Sequence, residues 1–258
     1  MDSVNPKQVK SLKTKKGRDA LNLFIVEGEK LVKEIPSQWQ VVTYVYAESK
    51  PPTVSHKPIL TVSDKYFSAL SDTVTPQGVL AVCKKRNFAI TDILPNPANP
   101  PNPPNPPKNI FLLLLENIAD PGNLGTLIRT ATAAGANGII LSTGSCDVYN
   151  PKTIRAAAGA VLRVPIVDNA DFAEVIPYLQ QCGVSVLAAH LHGEVLPYQI
   201  NLRNPCGILI GNEASGLSQN AVKLANITVK LPMANNVESL NAATAGGILL
   251  YEVVRQRM

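Results

Sequence analysis

The sequence predicts an α/β protein in two units, the larger a parallel sheet with crossover helices. Three observations carry this. Residues 110–258 alternate short apolar runs with helix-length segments, the pattern of strands joined by crossovers. Residues 1–86 repeat the alternation on a smaller scale. Between them, eight prolines crowd into residues 95–107, which excludes helix or central strand there. The expected division is therefore 1–86, a linker over 87–109 acting as a semi-rigid polyproline spacer, and 110–258.

Composition sets the class. A chain of 258 residues has room for two cores, and 45% hydrophobic with 17% charged residues is ordinary for a globular protein. No apolar run approaches the roughly 20 residues of a membrane helix, and Met1–Asp19 has no apolar signal segment. Cys83, Cys146, Cys182 and Cys206 lie far apart with no paired spacing, as expected of reduced thiols in a cytoplasmic protein. His190 and His192 would share a strand face, but no third ligand accompanies them, so no metal is expected.

In the first unit, residues 5–35 read as helix, a strand from Leu23 to Val26, and helix again. Val41–Ala47 alternates as a strand, Val62–Leu70 reads as a strand end and short helix capped at Ser63 or Asp64, and Gly78–Lys84 is a strand. In the second unit, Ile110–Leu115 is a buried strand. Asp120-Pro-Gly-Asn123 is turn chemistry, with Asn123 the expected N-cap of a helix over 124–134. Leu124, Leu127, Ile128 and Ala131 make its buried stripe, and Arg129, its one charge, points away. A strand over 138–141 follows, then a helix with Pro151 at its first position, a strand over 163–167, a helix over 172–182 and a strand over 184–190. Ile208–Ile210, Ile227–Leu231 and a final helix rich in small residues close the chain.

Charge is uneven. Residues 1–86 carry 14 Lys and Arg against 8 Asp and Glu, while residues 87–258 carry 10 against 11. Much of the excess lies in Lys7, Lys10, Lys13, Lys15, Lys16 and Arg18, a footprint suited to nucleic-acid phosphates or simply a solvated face.

No dinucleotide glycine fingerprint, phosphate-binding P-loop or nucleophile elbow is present. What remains is a polar set at strand ends and helix starts: Asn117, Asn123, Arg129, Glu213, Ser239 and Asn241. Taken singly, Asn123 and Ser239 could be helix caps, Arg129 and Glu213 an ion pair, and Asn241 a turn residue.

Together they form a recognisable pattern. Asn117-x-x-Asp-Pro-Gly-Asn-x-Gly-Thr-x-Ile-Arg-Thr-Ala-x-Ala-Ala-Gly135, Gly211-Asn-Glu-Ala-Ser-Gly-Leu217 and Leu231-Pro-Met with Ser239-Leu-Asn241 closely resemble the three motifs of the SpoU-type RNA ribose 2′-O-methyltransferases of the SPOUT superfamily. The likeness extends through Asp147-x-x-Asn-Pro-Lys-x-x-Arg155. Asn5-Pro-Lys-x-Val-Lys-Ser-Leu12 and Phe24-Ile-Val-Glu-Gly-Glu29 resemble the L30e-like substrate-binding domain that many members carry. Asn212, the residues after Ala234 and Ala242–Thr244 depart from the usual residues, none of them removing a functional side chain.

The resemblance implies a trefoil knot made by the C-terminal segment, and S-adenosylmethionine held by backbone atoms at Gly211, Leu231 and Leu240 with Met233 alongside. It also implies a homodimer with the site near the interface, and methylation of a ribose 2′-hydroxyl in structured RNA. Ribosomal RNA is favoured over transfer RNA, and a non-catalytic RNA-binding protein on the same scaffold is the rival. Arg129 would orient phosphate and hydroxyl, with Asn123, Glu213, Ser239 and Asn241 holding it and the ribose. Lys152 and Arg155 would join the amino-terminal cations on RNA.

Overall fold

A computed structural model describes residues 4–53, 58–94 and 109–258; the proline tract that was read as a spacer lies outside them. The first unit runs α1 (Pro6–Ser11), α2 (Lys15–Leu21), β1 (Leu23–Glu27), α3 (Glu29–Lys33), β2 (Val41–Ala47), β3 (Ile59–Val62), α4 (Asp64–Leu70) and β4 (Val79–Lys84). Its sheet has the order β1-β4-β2-β3, with β2 and β3 parallel and the other pairs antiparallel. Asn5 closes a reciprocal capping box with Gln8 at the start of α1, and Ser63 caps α4.

The second unit contains β5 (Phe111–Leu115), α5 (Pro121–Ala133), β6 (Gly138–Ser142), α6 (Pro151–Ala156), β7 (Ile166–Ala170), α7 (Phe172–Gln181), β8 (Ser185–Ala189), β9 (Cys206–Ile210), α8 (Gln219–Leu224), β10 (Ile227–Val229) and α9 (Ala242–Arg257). Its six strands are all parallel, in the order β10-β8-β9-β5-β6-β7. Because a strand's side chains alternate between faces, β5 divides into two sets. Phe111, Leu113 and Leu115 enter the core beneath α5 and α9, and Leu112 and Leu114 the core beneath α7 and α8. The first of these cores continues into the amino-terminal unit through Phe24, Trp39 and Tyr149.

The tail is wrapped by the chain before it. Segment 190–205 links β8 to β9 and passes outside β10. His190 N–H donates to the Val229 carbonyl on one side (2.9 Å), while Lys230 N–H donates to the Val195 carbonyl on the other (3.0 Å). The same segment then crosses α9, where Leu202 N–H donates to Gln256 Oε1 (2.9 Å) and Arg257 Nε to the Leu202 carbonyl (3.0 Å). The C-terminal segment is thus held by the β8–β9 connection at both β10 and α9, the contacts that a trefoil knot made by this segment would require.

Several elements depart from expectation. Asp120, not Asn123, caps α5: its side chain accepts from Asn123 N–H at 2.8 Å, and Pro121 occupies the first helical position. Asn241, not Ser239, caps α9, its Oδ1 accepting from Ala243 and Thr244 N–H. The strand expected over 163–167 begins at Ile166, because Gly159 at φ +82° leads into a 3-10 turn over Ala160–Leu162. Finally, residues 88–94 do not lead away as a spacer. Phe88, Ile90 and Ile93 pack against the α7–α8 core, and Leu94 is buried in it.

Candidate active site

Three segments converge where β5, β9 and β10 end at their carboxyl ends. The turn after β5 carries Asn117, which takes the left-handed conformation at φ +54°, as asparagine does more readily than most residues. The turn after β9 carries Glu213. Segment 230–241 carries Met233, Ser239 and Leu240 into α9.

Glu213 is the hub. Its carboxylate accepts from Ala119 N–H (3.2 Å), Asp120 N–H (3.3 Å) and Asn123 Nδ2 (3.0 Å). Asn123 Oδ1 in turn accepts from Asn241 Nδ2 at 3.0 Å, while Asn241 Oδ1 caps α9. One continuous relay therefore ties all three motif segments together. Asn123 can serve in it because it stands inside the first turn of α5, its side chain not spent as a cap. Burial pushes the Glu213 carboxyl upward, but the bonds from Asn123, its own backbone, Ala119 and Asp120 outweigh that and hold it below the usual carboxylate range. Lys152 pairs with Asp120 at 2.8 Å and, with the Asn123 N–H, depresses that carboxyl as well. The backbone pair of Ala119 and Asp120 and the Asp120–Lys152 contact lie beyond the sequence pattern; the Asp-Pro step at 120–121, a common helix start, is the signal that points to them.

Beside the relay lies a cavity of about 400 Å³, the size of small-molecule pockets. Gly211, Leu231, Met233 and Leu240, expected to hold a cofactor, all line it, as do Glu213 and Ser239. Gly211 is required by close approach: a Cβ there would lie 2.5 Å from the Gly216 carbonyl oxygen. Among the described residues, no hydrogen bond engages the backbone of Leu231, Met233 or Leu240. Unspent backbone donors and acceptors around a partly apolar cavity fit a nucleoside held by main-chain groups, so the site suits S-adenosylmethionine. His190 and His192 stand in the turn beyond β8, also on this cavity, their rings 5.9 Å apart.

Arg129 is exposed on the outer stripe of α5, with no hydrogen bond or ion pair among the described residues. The ion pair with Glu213 does not form; Glu213 is filled by amides instead. Ser239 lines the cavity but makes no bond to the relay. Cys146 is no nucleophile, its thiol being pushed up to about 11 by burial first and then by the Glu213 and Asp120 charges. A larger cavity of about 590 Å³ lies between Phe111 and the end of α9. Its arginines, Arg203 and Arg257, are spent on carbonyl oxygens of Gln256, Leu202, Asn109, Ile110 and Asn204, so it reads as packing.

The expected RNA-contacting cations divide. Lys7, Lys10 and Lys16 are exposed and without a partner among the described residues. Lys15 pairs with Asp19 at 2.7 Å and Lys152 with Asp120. Lys13 is drawn onto the Ala69 and Ser71 carbonyls and Asp72. Arg18 is buried at 2% exposure, turned towards internal partners and away from the surface where RNA would lie. Arg155 is half-buried, with one guanidinium nitrogen unpartnered.

Comparison with known proteins accords with this geometry. The SpoU rRNA methylase family matches residues 110–251, and an MRM3-like substrate binding domain matches residues 5–81. The chain is 32% identical to the 23S rRNA (guanosine(2553)-2′-O)-methyltransferase RlmP of Bacillus subtilis, over 96% of this chain and 94% of the relative. In structure it is similar to the AdoMet-bound rRNA methyltransferase of Sinorhizobium meliloti, with a TM-score of 0.85 and 32% identity over 98% of this chain and 95% of that one. It is also similar to the SpoU methyltransferase AviRb of Streptomyces viridochromogenes, with a TM-score of 0.85 and 27% identity over 98% and 96%.

Proposed function

The chain belongs to the SpoU rRNA methylase family, and on that premise we propose that it methylates a ribose 2′-hydroxyl of ribosomal RNA with S-adenosylmethionine. The observation that carries this reading is the Glu213–Asn123–Asn241 relay standing against the cavity of Gly211, Leu231, Met233 and Leu240.

S-adenosylmethionine supplies an electrophilic methyl group. The remaining work is positioning the hydroxyl and easing removal of its proton. An arginine stays protonated in proteins, so Arg129 acts as an orienting cation, gripping an RNA phosphate and polarising the 2′-hydroxyl. Its lack of a partner among the described residues leaves the guanidinium for the substrate. The relay fixes the start of α5, from which Arg129 projects two turns later, and so sets where that guanidinium stands. Ser239, at the cavity edge, contacts the ribose. Backbone groups of Leu231, Met233 and Leu240 hold the nucleoside.

In this reading the boundaries are 1–86 for the substrate-binding domain and 110–258 for the methyltransferase, with residues 88–94 packed on the methyltransferase core; the protein is cytoplasmic, and it acts as a homodimer. The last supports itself on α9, whose Ile248 and Tyr251 are 46% and 52% exposed on one stripe beside Arg129's helix. A second copy seated there would close the site over Arg129. No metal enters the step. Transfer of labelled methyl from S-adenosylmethionine to unmodified ribosomal RNA, followed by mapping of 2′-O-methyl positions, tests the function. Labelling of transfer RNA alone, or of no RNA, would overturn it.

A further inference from the structure

Among the described residues, Arg18 is the most completely buried cation of the amino-terminal unit, and its donors are spent internally. Its Nε donates to Asp147 Oδ2 at 2.8 Å, its Nη2 forms an ion pair with the same oxygen at 2.6 Å, and its Nη1 donates to the Leu12 and Lys13 carbonyls at 2.8 and 3.0 Å. A buried guanidinium is tolerated only when its donors are satisfied in this way. Asp147 belongs to the other unit, in the loop between β6 and α6.

That loop is anchored on both sides. Towards the first unit, Asp147 Oδ1 accepts from Tyr149 N–H (2.9 Å). Tyr149 stacks on Phe24 with centroids 4.5 Å apart, and its hydroxyl donates to the Arg86 carbonyl at 2.8 Å. Towards the site, the neighbouring Cys146 N–H donates to the Ile118 carbonyl at 2.8 Å. The next two N–H groups after Ile118, those of Ala119 and Asp120, are the ones that hold Glu213. From Arg18 to Glu213 every step is a hydrogen bond or a peptide link.

We propose that Arg18 and Asp147 are a positioning pair for methyl transfer: they clamp the substrate-binding domain to the loop that braces the Glu213 turn, so that RNA gripped by the first domain arrives at Arg129 in one fixed placement. This rests on the functional reading above. It converts two domains in series into one rigid gauge, in which the distance from the amino-terminal cations to the site is set by side-chain bonds. Replacing both partners by apolar side chains leaves both sites built but lets their separation vary.

The test uses the full chain and unmodified ribosomal RNA. Arg18→Met/Asp147→Leu removes both charges and leaves no buried ion unpaired, and such replacements of a buried pair are often neutral for stability. The expected result is a melting midpoint, S-adenosylmethionine dissociation constant and RNA dissociation constant near wild type. The single-turnover rate at saturating RNA is expected to fall about tenfold or more. A merely structural pair would move the melting midpoint and the rate together. Arg18→Lys, which keeps a paired charge on Asp147 but loses the planar fork, serves if the double variant does not fold, and is expected to slow the same step about threefold. A rate at saturating RNA equal to wild type in the folded variant overturns the proposal. If the wild type itself methylates no RNA, the functional reading fails instead.

Discussion

Substituting Asn241 by Asp separates the two jobs this residue does. Its Oδ1 caps α9 and its Nδ2 donates to Asn123 Oδ1. Asp caps as well as Asn, and a carboxylate at a helix start adds about 0.3–1 kcal/mol of stability. What disappears is one hydrogen bond, ~1 kcal/mol in net terms. Stability is therefore expected to change little, within about 2–4 °C in the melting midpoint for a chain of this size. The relay suffers more. Asn123 Oδ1 would face a carboxylate oxygen with no proton to donate, while its Nδ2 is engaged by Glu213. Acceptor against acceptor, or a flipped Asn123 amide that abandons Glu213, forces the turn after β9 or the start of α9 to shift. Misplacement on that scale costs about 10- to 100-fold in rate, or roughly 1.4–2.8 kcal/mol of barrier. Single-turnover transfer of labelled methyl to ribosomal RNA at saturating S-adenosylmethionine measures it. Asn241→Ala, which loses the cap as well, is expected to melt about 2–4 °C lower. Wild-type turnover by Asn241→Asp would refute the relay as a catalytic support, as would a rate loss that merely tracks unfolding.

Arg129→Ala should reduce methyl transfer by at least about 100-fold while calorimetric binding of S-adenosylmethionine and the melting midpoint stay as in the wild type, because Arg129 has no partner within the described chain. Loss of cofactor binding instead would move Arg129 out of the proposed role. Gly211→Ala should do the reverse, since its Cβ would press on the Gly216 carbonyl and force the cavity wall to move; equilibrium dialysis with the cofactor checks it. Acid should loosen the site in a defined direction. The Glu213 carboxyl titrates lower in the folded chain than in the unfolded one, so its contribution is present above about pH 4.3 and is lost as pH falls through the folded value. Glu213→Gln should flatten that part of an acid-unfolding profile, and an unchanged profile would show that Glu213 is not its source.

Much of this was legible from sequence because it depends on local rules. Strand runs such as Ile110–Leu115 and Ile208–Ile210 and the Asn150-Pro151 helix start are set by burial pattern and capping. The grouping of Gly211, Leu231, Met233 and Leu240 came from the family resemblance and not from periodicity. What could not be read is tertiary. Asn123 and Asp120 are both good caps three residues apart, and Pro121 decided for Asp120 by favouring the first helical position. That places Asn123 inside the helix and makes it available to Glu213, a contact that the competing cap hides in the sequence. Arg129 and Glu213 looked complementary by charge, yet the backbone N–H groups of Ala119 and Asp120 reach the carboxylate first. Composition registers no difference between a lysine facing water and an arginine enclosed by a partner 129 residues away.

That last distinction alters how the basic amino terminus should behave. Six cations there, Lys7, Lys10, Lys13, Lys15, Lys16 and Arg18, read alike in the sequence as a phosphate footprint. Folding removes Arg18 entirely, draws Lys13 onto two carbonyls and Asp72, and gives Lys15 to Asp19. Lys7, Lys10 and Lys16 remain exposed and unpaired among the described residues. Each phosphate neutralised contributes about 0.7–0.9 to the slope of log affinity against log salt. Replacing these three by Gln should therefore flatten that slope by about 2–3, while Lys13→Gln alters it by well under one. Filter binding of ribosomal RNA across a salt series measures both. Equal effects from the two sets would mean that the internal pairs open on binding, and that the sequence count of cations, not the folded one, governs the grip on RNA.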